Sequence, residues 1–251
     1  MSKSTIADLF AETLHLAGVE RIYGVVGDSL NGLTDSLRRQ GRIDWVHMRN
    51  EEAAAFAAGA EAQMTGRLAV CAGSCGPGNM HLINGLYDCN RTRVPVLAIA
   101  AQVPTGEIGS NYFQETRPEA LFRECSVYCE TIGDADQMPR TLETAIRAAV
   151  GRRGVSVVSM PGDVALRSTT GTLARSVSAL LPPPSTTVPA DADVASLAAL
   201  LNGAKVTILA GRGCRTAHAD LVRSPGCFRH LSSMRWAARS LSNTTILMMS
   251  A

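Results

Sequence analysis

Two adjacent carboxylates, Glu51 and Glu52, stand in RNEEAAAFAAGAEAQ, where an apolar run ends and a run of small residues begins. Acids in the first turn of a helix stabilise its dipole by ~0.3–1 kcal/mol, which accounts for them without any function. Their setting points further. At the carboxyl end of a strand, opening an Ala/Gly-rich helix suited to close packing, at least one of the pair is expected to be buried. A buried carboxyl holds its proton more tightly and can share it with a ligand. The segment AGSCGPGNMHLINGLYDC adds Gly76, Pro77 and Gly78, a tight turn able to bring bare backbone N–H groups to a ligand, although such turns alone are a weak signal. GVVGDSLNG resembles a phosphate loop only superficially. Asp28 would face a phosphate with like charge and no GK[ST] follows, which argues against a nucleotide P-loop. GRGC, with Gly211 and Gly213, is a better dinucleotide-type turn. Cys71 and Cys75, like Cys125 and Cys129, are four apart without CxxC or His-rich company, so no metal site is expected of them.

The elements that must position these residues follow from the apolar pattern. Ile6, Leu9, Phe10, Leu14 and Ala17 recur at helical spacing and predict a helix from Thr5 to Ala17 that ends at Gly18. IYGVVG predicts a strand over 22–27, and Asp28, Ser29 and Asn31 start a helix to Gln40. A strand over 45–49, a helix through AAAFAAGAEAQMTG, a strand LAVCAG, a helix after GPG and a strand VPVLAIAA follow, and VSVVSMPGD closes the unit. Strands apolar on both faces and alternating with helices define the fold class as α/β, a doubly wound parallel sheet with helices on both faces. In such sheets ligands bind outside the carboxyl ends of the strands, here the loops 27–31, 49–52, 73–79 and 102–115. A Ser/Thr/Pro-rich linker over about 167–190 separates this domain, residues 1–185, from the start of a second α/β domain over 191–223.

With 46% hydrophobic and 18% charged residues the chain has the composition of an ordered globular protein. A net charge of +2 gives no basic face for nucleic acid. MSKSTIADLF carries Asp8 within its first apolar run, unlike a secretory signal, so a cytoplasmic location and reduced thiols are expected. The longest apolar run, VPVLAIAAQV, falls short of the roughly 20 residues of a transmembrane helix.

Taken together, GVVGDSLNG, RNEEAAAFAAGAEAQ, CAGSCGPGNMHLINGLYDC, VPVLAIAA, FQET and VSVVSMPGDVAL resemble, in order and spacing, the N-terminal half of thiamine-diphosphate-dependent 2-oxo acid enzymes. The wording GDSLNGL, AVCAGSCGPGN, INGLYDC and YFQETRPEALFRECS is similar to the pyruvate dehydrogenase (quinone) or pyruvate oxidase branch, over residues 4 to 223. The resemblance implies that residues 1–185 bind the cofactor's aminopyrimidine ring. Glu51 is then the catalytic glutamate, hydrogen-bonded to ring nitrogen N1′. Gly76, Pro77 and Asn79 pack against the pyrimidine, and Gly27 and Asp28 lie near the thiazolium and substrate. Phe113, Gln114 and Glu115 form a substrate-side segment, and Gly211 and Gly213 a candidate FAD turn. It further implies decarboxylation of pyruvate to acetate and carbon dioxide, electrons passing to FAD and a quinone at the membrane face, and a homo-oligomer. Asn50 stands where some relatives carry His, which leaves the hydrogen bonding behind the glutamate open. The family's Mg²⁺ and diphosphate site, and most of its flavin site, lie on regions this sequence does not contain. A catalytically inactive fragment, or one subunit of a split decarboxylase or acetolactate synthase-like enzyme, is the alternative.

The segment 224–251 has no Asp or Glu and departs from the family wording. With the third base of each codon joined to the first two of the next, permitted codons spell wording of the family type, AGLLSAPIVHALGGKE and FEYDNPYDVG, although many third bases are free. Trp236 before Ala237 forces Gly and Met248 before Met249 forces Asp, both at positions the pattern wants. The expectation is an out-of-frame tail after about residue 223.

Overall fold

The computed structural model describes residues 4–169, 180–183, 186–214, 216–223 and 231–236. The chain divides into two compact units, Met1–Ser185 and Thr186–Ala251.

The first unit is built on strands β1 (Arg21–Gly24), β2 (Asp44–His47), β3 (Ala69–Gly73), β4 (Val96–Gln102), β5 (Tyr128–Thr131) and β6 (Val155–Pro161). They form one sheet in the order β2-β1-β3-β4-β6-β5, parallel at every pairing. Every residue of β3, β4 and β6 is buried, as strands covered on both faces require. Alternation along the strands then sorts the core into two layers. Leu97, Ile99 and Ala101 of β4 pack with Val70, Ala72, Val158 and Met160 against α1 (Ile6–Leu16), α2 (Asn31–Gln40), α6 (Met138–Arg152) and α7 (Gly162–Leu166). Val96, Ala98 and Ala100 pack with Ala69, Cys71, Val155 and Val157 against α3 (Glu51–Thr65) and α4 (Pro77–Arg91). The doubly wound fold read from the sequence is the fold observed.

Local chemistry sets where the helices begin. Thr5 caps α1 in a capping box: its Oγ1 accepts from the Asp8 N–H at 3.2 Å and the Asp8 carboxylate accepts from the Thr5 N–H at 2.9 Å. Asn50 caps α3, its Oδ1 accepting from the Glu52 N–H at 2.7 Å, and Gly66 closes that helix in the left-handed conformation. The helix predicted from Asp28 starts with a 3₁₀ turn, Asp28–Leu30, before α2 proper. The segment between the 102–115 loop and β6, for which the apolar pattern sets no expectation, holds α5 (Pro118–Leu121), β5 and α6.

The sheet order fixes one crevice. From β1 the chain crosses to β2 on one side and returns to β3 on the other, so the loops after β1 and β3 diverge from neighbouring strands. This is a topological switch point, the place where open α/β sheets bind ligands.

The second unit contains α8 (Asp191–Leu201), β7 (Val206–Ala210), a 3₁₀ turn at Arg212–Cys214, α9 (His218–Arg223) and β8 (Leu231–Trp236), with β7 and β8 parallel. Six residues of the segment 224–251 thus form a strand, and its other residues lie outside those described.

Candidate active site

Glu51 is the first residue of α3, at the carboxyl end of β2, and only 8% exposed. Its carboxylate is held between two neighbours from α4. Nδ1 of His81 lies 3.3 Å from Oε2, so the tautomer protonated on Nδ1 donates to it. Gly78 lies against Oε1: a Cβ built on Gly78 would sit 3.0 Å from that oxygen and 3.3 Å from Ser74 Cβ. The second acid of the pair does something else. Glu52 accepts from Asn84 Nδ2 at 2.7 Å, tying α3 to α4 on the outer side.

The turn after β3 is shaped for close approach. Gly76 has φ +70°, a conformation costly for any side chain, and a Cβ there would meet Gln114 Cβ at 2.8 Å. Asn79 is fully buried and donates from Nδ2 to the Ala101 carbonyl at 2.7 Å, while its Oδ1 is buried with no partner among the described residues. Across the switch point, Ser29 Oγ lies 2.8 Å from Ser74 Oγ and accepts from the Cys75 N–H at 3.1 Å. Gly27 leaves room for this contact, since a Cβ there would fall 2.4 Å from Ser74 Oγ.

Of the residues singled out in the sequence, Glu51 and the Gly76–Asn79 turn come together, with Gln114 over Gly76 and Gly27 against Ser74. Asp28 is exposed and its Oδ1 accepts from the Ser29 N–H at 2.8 Å. Phe113 is 81% exposed. Glu115 accepts from the Gly109 N–H at 2.7 Å and the Tyr112 N–H at 3.2 Å, and the Gly109 bond above all holds its carboxyl below the usual range. It therefore organises its own loop. Gly211 and Gly213 lie in the second unit, where added Cβ atoms would meet nothing within 4 Å. Sequence reasoning missed His81, Ser29 and Ser74. His81 lies on α4 one turn beyond Pro77, a position with no periodic or spacing signal of its own.

Three of the cysteines belong to packing. Cys71, Cys89 and Cys125 are buried in the layer beneath α3 and α4, and burial pushes the Cys89 thiol up to about 12 and the Cys125 thiol to about 11. Among the described residues no group of three or more His, Cys, Asp or Glu is arranged to hold a metal ion. No helix among them is long and apolar enough to cross a membrane.

Residues 4–121 match the family model of the thiamine pyrophosphate enzyme N-terminal TPP binding domain. The matched segment is similar to the N-terminal domain of thiamine-diphosphate-dependent enzymes. An uncharacterised 42.6 kDa protein from Pseudomonas amyloderamosa is 66% identical over 224 residues, 89% of this chain and 56% of that protein. A putative thiamine pyrophosphate-containing protein of Bacillus subtilis is 41% identical over 165 residues, 65% of this chain and 29% of its own. The pyruvate oxidase of Lactiplantibacillus plantarum is 39% identical over 154 residues, 61% of this chain and 26% of its own. The chain spans about half the length of the first relative and less than a third of the other two. The site fits part of thiamine diphosphate on its own geometry: a buried carboxylate beside a glycine face that any Cβ would fill, with a buried Asn79 Oδ1 in the adjoining turn that has no partner among the described residues.

Proposed function

We infer that the chain is the aminopyrimidine-binding part of a pyruvate dehydrogenase (quinone), converting pyruvate to acetate and carbon dioxide with electrons passing to FAD and a quinone. The observation that carries this reading is the buried Glu51 carboxylate with one oxygen against the bare face of Gly78 and the other beside His81. When bound, thiamine diphosphate supplies the carbon nucleophile that takes up the negative charge left as a 2-oxo acid loses carbon dioxide. Glu51 would hold the pyrimidine nitrogen N1′ through Oε1 and share a proton there, and burial excludes water competing for that proton. His81 fixes the rotation of the carboxylate through Oε2. Gly76, Pro77 and Asn79 form the surface against the pyrimidine. Gly27 and Asp28 border the thiazolium side, and Phe113, Gln114 and Glu115 the substrate side. Mg²⁺, the diphosphate and most of the FAD contacts would be held outside this chain, with Gly211 and Gly213 at an edge of the flavin site. The working protein is then a homo-oligomer acting at the inner face of the cell membrane, with 1–185 as the pyrimidine domain and 191–223 as the start of the flavin domain.

The family wording restored by a one-base shift supports reading 224–251 as out of frame. The P. amyloderamosa protein aligns over 224 of the 251 residues, a span close to the chain without that segment. Resequencing the gene from the codons for Leu221 to Phe228 and past the codon for Ala251 decides it: a restored base is expected, and an unchanged frame rejects it.

The functional test is an NMR titration of the ¹⁵N-labelled chain with thiamine diphosphate. Saturable shifts are expected at Glu51, Gly76, Gly78 and Asn79, weakened by Glu51→Gln. Shifts absent, or scattered away from this turn, reject the reading.

A further inference from the structure

The loops after β1 and β3 leave the sheet in different directions, yet one side chain joins them. Ser29 Oγ meets the Ser74 hydroxyl at 2.8 Å and accepts the Cys75 N–H at 3.1 Å. Its own backbone is fixed from two directions: its N–H donates to Asp28 Oδ1 at 2.8 Å, and the next N–H, of Leu30, donates to the Gly27 carbonyl at 2.9 Å. The Ser29 end of the clamp is thus a hydrogen-bonded 3₁₀ turn. At the other end, the turn after β3 carries the site. The Ser74 carbonyl accepts from the Asn79 N–H at 2.9 Å, and Ser74 Cβ and Glu51 Oε1 flank the position a Gly78 side chain would take, at 3.3 and 3.0 Å. Ser29 thus hydrogen-bonds Ser74, and Ser74 and the Glu51 carboxylate border the same space beside Gly78. Besides Ser29, the described partner of this turn across the crevice is Gln114, whose amide oxygen lies a long 3.9 Å from Cys75 Sγ. Removing the Ser29 hydroxyl would leave the half-buried Cys75 N–H and Ser74 O–H without these partners, and the turn would move to satisfy them elsewhere.

We propose that Ser29 is a positioning residue: its hydroxyl clamps the turn after β3 to the turn after β1 across the switch point and so sets the surface that Glu51, Gly78 and Asn79 present to the aminopyrimidine. The second half of this statement rests on the function proposed above; the clamp does not.

The test uses the full chain and two readouts. Amide hydrogen exchange at Cys75 and Asn79 reports the clamp, and the NMR dissociation constant for thiamine diphosphate reports the surface. Ser29→Ala is expected to speed exchange at Cys75 by roughly tenfold, the effect of one hydrogen bond of ordinary net strength, and to weaken binding by a similar factor. Ser29→Thr, which keeps the oxygen, is expected to restore both. Unchanged Cys75 exchange in Ser29→Ala overturns the clamp. Faster exchange with unchanged affinity overturns its role in shaping the surface. If the unmodified chain binds no thiamine diphosphate, the function proposed above is rejected, and the exchange readout alone decides the clamp. Should Ser29→Ala not fold, Ser29→Cys, whose thiol is a much weaker acceptor, is read by the same criteria.

Discussion

At Gly78 a single methyl group separates a usable site from a filled one. A Cβ there would stand 3.0 Å from Glu51 Oε1, 3.3 Å from Ser74 Cβ and 3.4 Å from the Gly73 carbonyl carbon. Overpacking of this kind costs about 1–3 kcal/mol. Gly78→Ala is therefore expected to lower the melting temperature by a few degrees and to abolish the thiamine diphosphate shifts at Glu51. Retained shifts would place the ligand elsewhere. Glu51→Gln separates charge from shape, since the amide is nearly isosteric. In the frame-restored protein it is expected to reduce turnover of pyruvate by at least about 10²-fold, the scale of a lost general acid–base group, with an unchanged melting temperature. Near-normal turnover removes Glu51 from the mechanism. The burial of Glu51 and its meeting with the glycine turn were legible because both follow strand ends of one α/β sheet, where such loops gather. His81, Ser29 and Ser74 were not, because their roles arise only where strands distant in sequence lie side by side.

The capping box of α1 extends into a tie between helices. Ser36 Oγ donates to Asp8 Oδ1 at 2.7 Å, Arg39 pairs with the same oxygen at 2.5 Å, and Gln40 Nε2 donates to the Asp8 carbonyl at 2.9 Å. Burial is the largest single influence on Asp8 and opposes ionisation, yet the Thr5 N–H, Arg39 and Ser36 together outweigh it and hold the carboxyl at about 2 against its usual 3.8. A depressed carboxyl adds stability above its unfolded value, and that stability is lost as pH falls through the folded one. The contribution is about 2 kcal/mol, present above about pH 4 and gone below about pH 2. Asp8→Asn is expected to be less stable than the unmodified chain near neutrality and to lose less as the pH is lowered through that window. Parallel urea melts check this, and equal pH slopes in the two proteins would count against the network. The helix was readable from its periodicity, and the cap lies within three residues of its start. The tie to α2 was not, since Asp8 and Arg39 are 31 residues apart. β5 escaped for another reason: it is a four-residue edge strand, only partly buried, so no apolar alternation marks it.

On the scale of the whole chain, burial is divided unevenly. Both core layers of the first unit are made from residues between Ile6 and Leu180, and the central strands are covered on both faces. In the second unit, Val206 and Ala210 are the buried apolar side chains among the described residues, while Val194, Leu197 and Leu200 of α8 are exposed. The sequence pattern could suggest a helix and a strand there, since periodicity depends on neighbours. It could not say how much of their apolar surface finds cover, which depends on the rest of a domain. Stability follows buried apolar area, and the described residues of this unit bury little of it. The first unit is therefore expected to carry the cooperative transition. A 1–185 fragment should melt in one step within about 3 °C of the main transition of the full chain, followed by circular dichroism, because no buried side chain of its core is removed. A fragment that is unfolded, or that melts more than about 10 °C lower, would show that residues beyond Ser185 support this sheet, and the pyrimidine domain would have to be redrawn to include them.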